Sequence, residues 1–96
     1  MAMVTVRYWA AARQAAGVPE EVVAGQTLAD VLAAILAERA DQPAPRRLGT
    51  GHASLAAVLA RSSFLVDGQQ VGRRAPETVQ LSAGAVIEVL PPFAGG

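Results

Sequence analysis

One stretch constrains the fold more than any other: TLADVLAAILAERA, residues 27–40. Leu28, Val31, Leu32, Ile35 and Leu36 recur at i, i+3, i+4, i+7 and i+8, a single apolar stripe along a helix. Thr27 stands before it as an N-cap and Asp30 at N3, a capping box with Asp in place of the usual Glu. Glu38 and Arg39 lie off the stripe. A helix with one apolar side must bury that side against one surface, and the flanking segments supply a sheet. MVTVRYW (residues 3–9) alternates at period two, with Val4, Val6 and Tyr8 on one face and Thr5, Arg7 and Trp9 on the other. AVIEVL (residues 85–90) does the same, with Ile87 and Val89 opposed to Val86, Glu88 and Leu90.

Between them, EEVVA (residues 20–24) reads as a second strand, and FLVDGQQV (residues 64–71) as a strand entering a turn at Asp67-Gly68, a strong hairpin dipeptide. ETVQLSAG (residues 77–84) reads as a short strand or extended turn. AAARQAAG (residues 10–17) predicts one to two helical turns stopped by Gly17, with Pro19 at the exit. ADQPAPRRLGTG (residues 40–51) carries two prolines and two glycines among charges, hence a loop. HASLAAVLARSS (residues 52–63) predicts a short second helix with Leu55, Val58 and Leu59 on one side. The order is strand, strand, helix, loop, then two or three strands. It predicts a two-layer α+β domain spanning residues 1–96, large enough to bury a core without metal or disulfide support.

Composition removes most chemistries. Eight arginines balance eight acids and there is no lysine, so the basic excess that sequence-independent nucleic-acid binding needs is absent. With no cysteine there is no disulfide, thiolate nucleophile, iron–sulfur cluster or cysteine-ligated zinc. His52, the one histidine, cannot build a metal site alone, and it is the only base within the sequence for Ser54, Ser62, Ser63 or Ser82. LGTG (residues 48–51) is too short for a phosphate loop and lacks its lysine. No apolar run approaches the roughly 20 residues of a membrane span. Arg7 and Arg13 interrupt any signal-peptide core, so the expected location is cytoplasmic.

The remaining candidate is the ending, PPFAGG. Pro91 and Pro92 stiffen the chain and cannot donate to a sheet ladder, so they end the last strand. Phe93 to Gly96 then reach at most about 14 Å when extended. Gly95 and Gly96 can pass through a channel that a Cβ would block. A terminal carboxyl titrates near about 3.5 and is ionised at neutral pH. As a carboxylate it is a poor electrophile, but a nucleotide-activating partner can convert it to an acyl-adenylate.

With those pieces in view, the chain resembles the MoaD/ThiS family of ubiquitin-like sulfur carriers, and most closely the small subunit of molybdopterin synthase. VTVRYWAAARQAAG resembles the family's first strand and helical turn, TLADVLAAI its helix, and LSAGAVIEVLPPFAGG its ending, the most specific part. The resemblance implies a β-grasp fold: a mixed sheet of four to five strands on one main helix, with the first and last strands adjacent, parallel and central, and a flexible tail over 91–96. It implies that Gly96 is adenylated by an activating enzyme of the MoeB type using ATP and Mg²⁺, then thiocarboxylated from a sulfur donor system. A large synthase subunit of the MoaE type would take up the tail, and sulfur would pass to cyclic pyranopterin monophosphate. The carrier itself would hold no cofactor. Phe93 stands where valine is common and Ala85 where Asp is common, and residues 40–51 lengthen the middle. Carriers for cysteine or thiamine-thiazole biosynthesis and a ubiquitin-like protein modifier are therefore the alternatives.

In that fold Trp9 and Leu90 would form an exposed apolar patch at the root of the tail. Interface anchors are often aromatic, so the patch is the expected docking surface, with Phe93 joining it or lining the partner's channel. The competing expectation packs Trp9 under the turn of residues 10–17.

Overall fold

The computed structural model describes residues 2–40 and 55–92. β1 (Ala2–Tyr8) leads through α1 (Ala10–Ala16) into β2 (Glu20–Gly25) and α2 (Leu28–Ala40). α3 (Leu55–Arg61), β3 (Ser63–Val66), β4 (Gln69–Gln70), a 3₁₀ turn (Pro76–Thr78) and β5 (Val86–Leu90) come next. The five strands form one mixed sheet in the order β2-β1-β5-β3-β4. β1 and β5 run parallel with Val6 beside Ile87 and Arg7 beside Glu88, and the remaining pairs are antiparallel. The sheet is that of the β-grasp fold, and the first and last strands are adjacent inside it.

The parity expected of β1 and β5 sets the core. Val4, Val6, Tyr8, Ile87 and Val89 are buried on the inner face, where they meet Leu28, Val31 and Ile35 of α2. Leu32 and Leu36 are partly buried at the flank. Fully burying such side chains stabilises by about 1.5–3 kcal/mol each. At the head of α2 the capping box closes in both directions. Asp30 N–H donates to Thr27 Oγ1 at 3.2 Å and Thr27 N–H to Asp30 Oδ2 at 3.2 Å. Gly25, at the join of β2 and α2, lacks a side chain for a steric reason: a Cβ there would lie 2.7 Å from Val31 Cγ2.

The sheet packs on α2 as its main helix, and Ala12 of α1 and Leu55, Val58 and Leu59 of α3 are buried in the same core. Five strands spaced about 4.8 Å apart present a face roughly 19 Å wide. One helix, about 10 Å across, covers about half of it. Of the two readings of residues 77–84, short strand or extended turn, the structure has the turn, with a single bridge between Thr27 and Gln80. Pro76, preset for the first helical position, starts a 3₁₀ turn. The chain leaving this turn is tied to the head of α2, with Leu28 N–H donating to Val79 O at 3.0 Å and Leu81 N–H to Gln26 O at 2.9 Å.

The Asp67-Gly68 turn forms as expected, with φ of 51° and 83°. Both are positive, as a two-residue type I′ hairpin loop requires. Asp67 Oδ1 accepts the Val86 N–H at 3.0 Å, which pins the turn to the start of β5. Residues 41–54, and with them His52 and most of the expected loop 40–51, lie outside the described residues.

Candidate functional site

β5 carries the chain between β1 and β3 and delivers it to Pro91, which is buried, and Pro92, which is exposed. The ladder ends here with Ser63 beside Leu90, since the prolines have no N–H to continue it. Phe93, Ala94, Gly95 and Gly96 lie outside the described residues.

Trp9 stands beside this exit. Its N–H donates to Val89 O at 3.2 Å, extending the β1–β5 pairing one residue beyond Tyr8. Its backbone is extended, with φ −120° and ψ 149°. Its carbonyl accepts the N–H groups of Ala12 at 2.9 Å and Arg13 at 3.3 Å. Trp9 thus follows directly on β1 and is the N-cap of α1. Ala10 takes φ of 49° to turn the chain, and Gly17 closes the helix with φ of 83°. Trp9 is 44% exposed and its indole lies on the outer face, so the expectation that it packs beneath α1 does not hold. Leu90 alternates with buried Val89 onto that same outer face and is half-buried.

The indole is also held, a contact that strand alternation by itself did not show. Trp9 Nε1 donates to Glu88 Oε1 at 3.2 Å, and the Arg7 guanidinium carbon sits 5.7 Å from the ring centroid. Arg7 also pairs with Glu20 at 3.6 Å. A cation over an exposed aromatic face contributes about 0.5–1 kcal/mol. Together the contacts set the orientation of the exposed indole beside the end of β5. The signal was present in the shared face of Arg7, Trp9 and Glu88, but it needed the β1–β5 register to become a contact.

No charged side chain is buried among the described residues, and they hold no group of three His, Asp or Glu residues arranged for a metal. A hollow of about 580 Å³ beside α1 is lined by Arg13 and Gln14 and by no nucleophile. No helix among them is long and apolar enough to cross a membrane.

The ThiS family model matches residues 6–96, from the middle of β1 through the last glycine. The chain belongs to the ThiS family. It is a ubiquitin-like sulfur carrier of the MoaD/ThiS type. Its fold is similar to the solution structure of small archaeal modifier protein 1 from Methanosarcina acetivorans (TM-score 0.68, 24% identity, covering 100% of this chain and 98% of that one). It is similar to a chain in the complex of subunits 1 and 2 of the molybdopterin-converting factor from Helicobacter pylori (TM-score 0.59, 23% identity, 98% and 99% covered). It is also similar to a chain in the BexX/CysO complex of Amycolatopsis orientalis (TM-score 0.65, 17% identity, 97% and 99% covered). No curated protein matches it in sequence. Two of these three structures are complexes with a second protein.

Proposed function

We propose that this chain is the sulfur-carrying small subunit of a molybdopterin synthase, with the Gly96 carboxylate as its working group. The observation that carries the reading is that the ThiS family match runs on past Pro91-Pro92 to Gly95-Gly96. In the proposed cycle an activating enzyme of the MoeB type uses ATP and Mg²⁺. A carboxylate oxygen of Gly96 attacks the α-phosphate, pyrophosphate leaves, and a sulfur donor then displaces AMP to give the thiocarboxylate. In a large subunit of the MoaE type the C–S bond is broken as sulfur passes to cyclic pyranopterin monophosphate, and water restores the carboxylate. Pro91 and Pro92 direct the tail away from the sheet. Ala94, Gly95 and Gly96 thread the partner's channel, and Phe93 anchors at its mouth. Trp9 and Leu90 dock against the partner. The chain's own contribution is reach and recognition, and the partners supply the catalytic side chains.

A second reading has neighbours of its own, since a CysO-containing structure and a small archaeal modifier share this fold as the molybdopterin-converting factor does. The same tail chemistry would then serve another acceptor. Incubation with ATP, an activating enzyme and a sulfur donor tests the shared chemistry. Intact-mass spectrometry should show one oxygen replaced by sulfur, and a chain lacking Gly96 should show none. A Gly96-deleted chain that still carries sulfur would refute the carrier site in both readings. Capture of a MoaE-type subunit, rather than a cysteine-synthase-type enzyme or isopeptide adducts, decides between the pathways.

A further inference from the structure

The two edges of the sheet are unlike. β4 closes one side with only two residues, Gln69 and Gln70, and offers little to another strand. β2 closes the other with six residues, EEVVAG, without proline or lysine, and its Val22 is 62% exposed. Long unprotected edges are templates for a further strand.

The hydrogen-bond phase shows which groups this edge presents. Tyr8 N–H donates to Pro19 O at 2.9 Å, and the register continues through Val6–Glu21, Val4–Val23 and Ala2–Gly25. Antiparallel bonding alternates along a strand. Residues 21, 23 and 25 therefore bond inward to β1, while Glu20, Val22 and Ala24 turn their amides and carbonyls outward. The other side of β1 agrees, since Thr5 N–H and Trp9 N–H donate to β5.

We propose that β2 pairs antiparallel with β2 of a second copy, about a two-fold axis through Val22. With Val22 facing Val22, Glu20 faces Ala24 and Glu21 faces Val23. Every outward group then meets an outward group, and no glutamate opposes a glutamate. Moving the axis by half a residue sets outward groups against inward-bonded ones, and moving it by a whole residue, to Glu21 or Val23, leaves one of the three outward residues of β2 without a strand partner. Moving it to Glu20 brings like charges together, which is destabilising. The two Val22 side chains come side by side on the outer face, about 5.5 Å apart at Cα. The two-fold turns the β5 strands of the copies in opposite directions, so both Leu90–Pro91 exits stay clear. The pairing is independent of the sulfur chemistry.

Sedimentation of the full chain should show a mass that rises with concentration from 9.8 kDa towards twice that value, and Val22→Lys, which sets two ammonium groups at the axis, should hold it at the monomer. Because the chain has no cysteine, Val22→Cys introduces a lone thiol, and so does Gln70→Cys at the other edge. Under mild oxidation the first should form disulfide dimers about ten-fold faster than the second, since only paired strands hold two Cβ atoms within bonding range. The Cys pair carries the test if the lysine variant fails to fold. A wild-type chain that stays monomeric at millimolar concentration overturns the proposal, as does equal cross-linking of the two Cys variants. Protection of the Val22 amide from hydrogen exchange only when a different protein is added would assign the edge to that protein instead.

Discussion

Ala10 holds φ at 49°, a conformation that costs an L-residue with a side chain roughly 1–2 kcal/mol. It is retained where β1 must turn sharply into α1, just after Trp9 has capped the helix with its carbonyl. Glycine would relieve the steric cost while adding about 0.4–1 kcal/mol of unfolded-chain entropy. Relief is the larger effect. Ala10→Gly should therefore stabilise the fold by about 0.5–1 kcal/mol, read as a melting temperature a few degrees higher by circular dichroism. A lower melting temperature would mean that the Ala10 methyl makes a contact worth more than the strain. At this scale the sequence told inside from outside well, since alternation separates Val4, Val6 and Tyr8 from Thr5 and Arg7. It could not tell that Trp9 bonds Glu88, because those residues are 79 apart and only the strand register brings them together.

Among the elements, α2 was the most legible because its signals are local and agree: one stripe, one cap, one acid at N3. Both hydrogen bonds of the capping box depend on Thr27 and Asp30. Thr27→Ala should cost about 1 kcal/mol. Asp30→Ala should cost a comparable amount, as its carboxylate also accepts the Gln26 N–H at 3.2 Å. The double variant should cost less than the sum of the two, since each single change already breaks the box. Urea unfolding at fixed slope measures all three. Full additivity would mean the two residues act separately. The Pro76–Thr78 turn was illegible for the opposite reason. Pro76 favours a helical start, Val79 and Leu81 favour extension, and the tie to Gln26 and Leu28 decides between them. The reach of α3 into the core was likewise hidden, because seven residues show a stripe but not the surface that receives it.

For the molecule as a whole, the sheet divides two tasks between its faces. The inner face, with the helices, holds the apolar core, and Ile87 and Val89 are fully enclosed there. The outer face carries Trp9, framed by Arg7 and Glu88, beside the exit of β5. If the outer face serves recognition, damage to the two faces should separate. Trp9→Ala removes a half-exposed ring and one exposed hydrogen bond, so it should cost about 1 kcal/mol or less in stability. An aromatic anchor at a partner interface is worth about 2 kcal/mol or more, so binding to the large subunit proposed as its partner should weaken by at least about ten- to thirty-fold. Ile87→Ala should do the reverse. It should lose about 2–5 kcal/mol of stability, while the fraction that remains folded binds with nearly wild-type affinity. Calorimetric titration beside thermal melts of both variants makes the comparison. A Trp9→Ala chain that binds as tightly as wild type would remove Trp9 from the docking surface and leave recognition to the tail alone.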